Sequence, residues 1–450
     1  MNQDRPWIAL KELVEEGKAE AIEQYLKTLK SDDIASVMSH LNSQERTKLV
    51  SVLQPEDAVE VMDDIPWIQA LNILEDMDSK EAAAIITEMP SDDQADFLTE
   101  MSTADADAII DEMGTEEAEK VRDLIQYDPE TAGGLMITEF LAYEASHTVF
   151  DVIRDMKQHA AEYERYNVQY IYVVSKGKFI GVLRMRDLLL TDDNILLSEI
   201  VIKDTLTVAV NDSVQDLINF FDTYDFYGVP VVNDQNELLG IVLRKDVLEF
   251  EVEKAQTEGL EMQGIVGGEE LRTLPVLLRS KRRLSWLSVN ILLNIVAASV
   301  IAFYQDTLSS VIALAVFLPI ISDMSGCSGN QAVAVSLREL SLGVVRPFEV
   351  MRVWLQEVKV GLINGLVLGL LIGTAAWLWQ GNVYLGLVVG GALAINTLVA
   401  VSLGGTIPLI LKRFNVDPAL ASGPILTTVT DMFGFFMALS FAGLALNHLV

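Results

Sequence analysis

The chain has 450 residues, with 32 Lys and Arg against 65 Asp and Glu, for a formal net charge of −33. The imbalance belongs to one end: residues 1–270 carry 21 basic and 58 acidic side chains (−37), and residues 271–450 carry 11 and 7 (+4). So acidic a front portion repels polyanions, which argues against nucleic acid as a partner and for cations. A single cysteine, Cys327, and four scattered histidines exclude a disulfide framework and a Cys-based zinc site.

The opening MNQDRPW lacks a basic segment followed by an apolar core, so no cleaved signal peptide is expected. A repeat follows. Leu29, Leu41, Leu53, Ile65, Met77, Met89, Met101, Met113 and Ile125 recur every 12 residues, as do Val37, Leu49, Val61, Ile73, Ile85, Phe97, Ile109 and Val121. Two residues after members of the first set stand Ser31, Ser43, Pro55, Trp67, Ser79, Ser91, Thr103 and Thr115, mostly helix N-cap types. Each unit predicts a helix of about two turns, too short to stand alone, so the units must stack into an all-α superhelical domain over residues 1–130. Its acidic face is either a solvated scaffold for a partner or, through acids such as Asp92, a place to hold divalent cations against another domain.

From residue 131 to 246 the texture changes to β-branched runs broken by turns, in two copies. Tyr170-Ile-Tyr-Val-Val174, Lys176-Gly177 and Gly181 to Asp187 are matched by Gly228-Val-Pro-Val-Val232, Asn236 and Gly240 to Asp246, 59 residues on. These motifs resemble a tandem pair of cystathionine β-synthase (CBS) domains, an α/β fold. The resemblance implies an adenosyl-ligand site at Asp187 or Asp246, with Arg184 and Leu243 standing where a hydroxyl residue is usual; the alternative is a dimerisation platform without ligand.

Residues 247–270 read as an acidic connecting helix with Glu249, Glu253 and Glu258 on roughly one face. Beside another acidic domain it repels itself unless cations or basic side chains intervene.

Residues 271–450 predict an all-α transmembrane domain of five helices near 284–304, 308–337, 353–379, 383–411 and 419–447, since about 20 helical residues cross a layer of roughly 30 Å. Lys281, Arg282 and Arg283, then Arg338, Arg346 and Arg352, then Lys412 and Arg413 fall in alternate connections, and the other two hold no Lys or Arg. The positive-inside rule therefore puts the N-terminus in the cytoplasm and the C-terminus outside.

Two acids lie within the spans, Asp323 and Asp431, although an Asp at the bilayer centre costs about 2.5–3.5 kcal/mol on insertion scales. Pro319, Asp323, Gly326 and Asn330 are spaced to share one face of the second span, and Pro424, Thr427 or Thr428, and Asp431 do so in the fifth. Ser322, Ser325 and Ser328 are near enough in sequence to satisfy Asp323. Asp417-Pro418 reads as an N-cap with Pro at N1, which puts Asp431 about 21 Å along its helix. Carboxylate, amide and hydroxyl oxygens suit a hard cation. Gly361, Gly365, Gly369 and Gly373 on the third span and Gly386 and Gly390 on the fourth read as packing faces.

In this order, the acidic repeat, CBS pair, acidic connector and five spans ending in Asp417-Pro-Ala-Leu-Ala-Ser-Gly-Pro424 to Thr430-Asp431 resemble the MgtE magnesium channel family. The resemblance covers nearly the whole chain and implies a homodimeric Mg2+ channel of the cytoplasmic membrane, with Asp431 at the selectivity site and Asp323, Asn330, Thr427 and Thr428 lining the pore. It further implies regulatory Mg2+ at Asp92, Asp225, Asp246, Glu249, Glu258 and Asp417 that closes the pore, and ATP at the CBS pair near Tyr170, Arg186 and Asp187. This chain departs from the family pattern at Cys327, where an Asn is expected, at Gly423, and in the added Asp323. The rival reading from the residues is an ion-coupled secondary carrier for divalent cations. No P-loop, dinucleotide fingerprint or nucleophile constellation supports an enzyme.

Overall fold

A computed structural model of the chain describes residues 6–449 apart from 162, 167, 266–269 and 415. They form two compact units, Met1–Glu253 and Lys254–Val450.

In the first unit, helices of 8 to 10 residues begin at Ser31, Ser43, Pro55, Trp67, Ser79, Ser91, Thr103 and Thr115, twelve residues apart. The expected capping positions are therefore the first helical residues. The cap is one residue earlier, where the backbone is still extended, and only Asn42, Asp78 and Ser102 accept a backbone N–H through a side chain. With capping this sparse, helix-on-helix burial must supply the stability. Val37, Leu49, Val61, Ile73, Ile85, Phe97, Ile109 and Val121 are all buried, and Trp67 stacks on Phe97 at 3.7 Å between ring centroids. Two further helices, Pro6–Glu16 and Ala19–Leu26, add Leu10, Val14, Ile22 and Leu26 to this core.

The two CBS copies share one topology. Strands β1 (Leu141–Glu144), β2 (Tyr170–Ser175) and β3 (Lys178–Arg184) form one sheet, and β4 (Val208–Ala209), β5 (Gly228–Val232) and β6 (Leu238–Leu243) the other. The first pair in each is parallel, the second antiparallel, with a register shift at Val173/Val174 and at Val231/Val232. Lys176 and Asn236 both take positive φ in the hairpins. The paired glycines have a steric reason. A Cβ on Gly181 would stand 2.0 Å from the Ile202 carbonyl oxygen, and one on Gly240 2.9 Å from that of Ile137. Those two outer residues bridge Val182 and Ile241, extending each sheet.

The connecting helix starts earlier than expected and runs unbroken from the last CBS strand, Arg244–Met262. The second unit holds five long helices, here numbered as spans: Val276–Phe303, Leu314–Ser341, Val350–Gln380, Val383–Arg413 and Pro418–Leu444. Four of them contain a segment long and apolar enough to cross a membrane, but the second does not qualify by composition. It is long enough at 28 residues, and its interior Ser, Gly, Asp, Asn and Gln lower its hydropathy. The third and fourth spans meet along the anticipated glycine faces. A Cβ on Gly365, Gly369 or Gly373 would fall 2.4–2.7 Å from the carbonyl oxygens of Ala394, Gly390 or Gly386.

Candidate functional site

In the second unit the buried edge of the second span packs on the fourth and fifth. Asp431 on the fifth is only 8% exposed, and Ser322 on the second donates its hydroxyl to Asp431 Oδ1. Among the described residues no Lys or Arg pairs with this carboxylate, so one hydroxyl is its recorded support. Thr427 and Thr428 donate to carbonyls of their own helix, Gly423 at 2.9 Å and Pro424 at 2.7 Å; their oxygens keep lone pairs for an ion or its waters.

Asp323 and Asn330 lie on the opposite, exposed edge of the second span. The exposed polar face is Pro319, Asp323, Cys327 and Asn330; Gly326 is buried, which corrects the expected stripe by one residue. Among the described residues, neither Ser322 nor Ser325 turns its hydroxyl to Asp323. Ser322 turns to Asp431, and Ser325 donates to the Ile321 carbonyl at 2.7 Å. A Cβ on Gly329 would stand 2.8 Å from Leu426 of the fifth span and 3.0 Å from the Ala400 carbonyl oxygen of the fourth, so the small residues of the interior stripe admit both neighbours.

In the first unit Asp92 belongs to a larger acidic group. Helix Ser91–Glu100 carries Asp92, Asp93 and Asp96, and the start of the connecting helix carries Asp246. Burial, with Asp93 and Asp246 beside it, pushes Asp92 well above the usual carboxylate range. Burial and the carboxylates of Asp63, Asp96 and Asp246 push Asp93 up to about 7. Burial raises Asp96 to about 6, with Glu253 adding repulsion, and Asp246 to about 6, where Lys245 opposes the rise. Asp246 Oδ2 is buried without a hydrogen-bond partner among the described residues. Desolvated carboxylates and an orphaned oxygen are a fit for a divalent cation, though no three acidic side chains among the described residues converge closely enough to hold one unaided. Glu249 pairs with Lys245 at 3.6 Å, and Asp225 lies apart from the group, paired with Arg244 at 2.8 Å.

Glu258 and Asp417 both fall in the second unit. Asp417 caps the fifth span through Ala419 N at 2.7 Å. Burial and the adjacent Asp417 raise the pKa of Glu261, and Glu258 adds to the effect. Glu261, Asp93 and Asp96 were not singled out from the sequence. The signal available was spacing alone, since Asp92 and Asp96 are i, i+4 on one helix and Glu258 and Glu261 are i, i+3.

A cleft of about 270 Å3 opens between the CBS copies, lined by Tyr170, Tyr172, Tyr227, Glu139, Arg244 and Lys245 among others. Tyr170 belongs to this lining. Arg186 and Asp187 are not in its lining; they pair with each other at 3.1 Å. The basic edge comes instead from Arg244 and Lys245 of the second copy, and Lys245 is the residue 59 places after Arg186. Internal pseudo-symmetry gives each copy the same motif, and folding decides which one faces this cleft.

Three family profiles match the chain in sequence: an MgtE intracellular N domain over residues 29–130, CBS domains over 132–192 and 197–253, and the MgtE profile described as a divalent cation transporter over 318–441. A magnesium transporter MgtE of Enterococcus faecalis is 33% identical over 74% of this chain and 72% of its own length. One from Thermus thermophilus is 34% identical over 73% of each. The crystal structure of the soluble part of a magnesium transporter, 26% identical, superposes with a TM-score of 0.50 over 56% of this chain and 99% of that one.

Proposed function

This chain belongs to the MgtE family of divalent cation transporters, and on that premise we propose that it conducts Mg2+ into the cell as a homodimer, with Asp431 as the ion-selecting group. The observation that carries this reading is a buried intramembrane carboxylate supported by one serine hydroxyl and no cationic side chain among the described residues. A charge so placed is costly in lipid, and a visiting cation offsets the cost. Mg2+ sheds water reluctantly and prefers six oxygens in octahedral array. One Asp431 from each of two copies can hold the hydrated ion through its waters, strongly enough to recruit it and weakly enough to release it. The exposed Asp323, Cys327 and Asn330 face supports the dimer, because a polar edge of this kind is costly against lipid and suits a water-lined axis between copies.

Regulation rests on the cytosolic acids. When Mg2+ is scarce, repulsion among Asp92, Asp93, Asp96 and Asp246 favours separation of the repeat from the connecting helix; bound Mg2+ favours the compact, closed arrangement. Glu249, Glu258, Glu261 and Asp417 extend this control along the connector, and Asp225 is a further candidate once Arg244 moves off it. The CBS cleft, with Tyr170 and Tyr227 as ring faces and Arg244 and Lys245 as phosphate partners, suits ATP. The basic connections between spans support an N-terminus in the cytoplasm and a C-terminus outside.

Liposomes holding the full chain and a Mg2+-sensitive dye test the reading. Uptake should persist with protonophores at clamped voltage and should be lost in Asp431→Ala. Uptake that collapses with the proton or sodium gradient would favour a coupled carrier, and full uptake by the folded variant would remove Asp431 from the pathway.

A further inference from the structure

Asn396 lies in the middle of the fourth span and is completely buried. Its Nδ2 donates to Ser325 Oγ of the second span at 2.6 Å. Ser325 does not need this contact as a donor, because its own hydroxyl is turned onto the Ile321 and Ser322 carbonyls at 2.7 and 3.0 Å. The amide's other end, Oδ1, has no hydrogen-bond partner among the described residues. A buried orphan acceptor is destabilising, so folding stability gives no reason for an Asn here.

Its position does give one. On its second flank the amide presses on the fifth span at Gly434, where a Cβ would stand 2.5 Å from Nδ2 and 3.2 Å from Cγ. Gly434 is three residues beyond Asp431, and Ser325 is three beyond Ser322. The second and fifth spans run in opposite directions, so Ser325 and Gly434 lie one turn to either side of the Ser322–Asp431 contact, and Asn396 bridges them across it. Asn396 has no exposed surface, so it acts on a permeating ion only through what it holds.

We propose that Asn396 is a positioning residue for the Mg2+ site: wedged between Ser325 and Gly434, its amide sets the rotation and depth of the fifth span and so the place of the Asp431 carboxylate. The inference rests on the reading that Asp431 selects the ion. Glycine is required at 434 because any side chain there displaces the amide, and the amide is required because a smaller residue lets the fifth span turn.

The test is a size exchange in the full-length chain, measured as half-saturating Mg2+ and maximal rate of uptake into liposomes. Asn396→Ala should raise half-saturating Mg2+ by about fivefold, the weight of one net hydrogen bond, with a smaller change in maximal rate. Gly434→Ala should do more damage, on the order of tenfold or greater, since an overpacked contact shifts a whole helix. The double variant removes the clashing amide and should return to within about twofold of Asn396→Ala. If Gly434→Ala yields no folded chain, recovery of folded, conducting chain in the double variant is the same result. Unchanged half-saturation in Asn396→Ala, or a double variant as impaired as Gly434→Ala, overturns the proposal while leaving Asp431 in place. Absence of Mg2+ uptake by the unaltered chain would instead defeat the transport reading itself.

Discussion

Asp431 stands in an apolar helix with one hydroxyl on it, whereas Asp92, Asp93, Asp96 and Asp246 stand together between a short repeat helix and the connecting helix. Both regions bury carboxylates, but they do so at different cost and to different ends. In the cytosolic group the charges repel one another and water is one small separation away, so the group can relieve itself by opening. The membrane carboxylate has no such exit, because the helix cannot leave the bilayer. On the proposed reading, crowded acids on separable elements serve as a switch and a fixed acid on a packed span serves as a binding site.

The sharpest way to break this contrast is Asp431→Ala, which should reduce Mg2+ uptake to the level of empty liposomes while leaving Mg2+-dependent compaction of the cytosolic region intact. Loss of both would mean the two regions are not separable in function.

Next in size is Asp93→Asn combined with Asp246→Asn. Removing two of the repelling charges should let the cytosolic region compact, by small-angle scattering or protease resistance, with about tenfold less Mg2+ or none. A rise in the Mg2+ requirement would show that these side chains matter more as ligands than as sources of repulsion.

Protons should imitate that double variant. Asp93 near 7 and Asp96 and Asp246 near 6 are raised above an ordinary value of 3.8, so the compact arrangement binds more protons than the separated one. Its stability must therefore increase as pH falls through about 7 to 6 and decrease as pH rises through the same window. At pH 5.5 the Mg2+ needed for compaction should be lower than at pH 7.5, and the difference should shrink in the double variant, where Asp92 and Asp96 still take up protons.

The smallest effect is expected at Ser322→Ala. Without the hydroxyl the Asp431 carboxylate faces the ion with less competition, so half-saturating Mg2+ should fall by about threefold and maximal uptake should slow as release becomes limiting. A faster maximal rate would show that Ser322 obstructs the path rather than moderating the charge.

The sequence disclosed repeating and compositional features well. Helices start at intervals of 12 from Ser31 to Thr115 because each must present the same apolar face to its neighbour, and that obligation is written in Val37, Leu49 and their successors. The CBS copies were visible for a similar reason, down to the glycines that admit Ile202 and Ile137. The place of Asp431 midway along the fifth helix followed from counting. What the local pattern left open was orientation. Cys327 rather than Gly326 is exposed, and Lys245 rather than Arg186 edges the cleft.

Taken alone, the chain of residues determined where charge and apolar length reside, because burial and membrane crossing impose periods and minimum lengths on any helix or strand. Only the tertiary structure decided which side chains meet. Ser322 with Asp431, Asn396 against Gly434, and Asp93 with Asp246 are 109, 38 and 153 positions apart in the sequence. Contacts at such separation depend on how helices rotate and slide as they pack, and small rotations that leave every local pattern unchanged move a carboxylate from one partner to another.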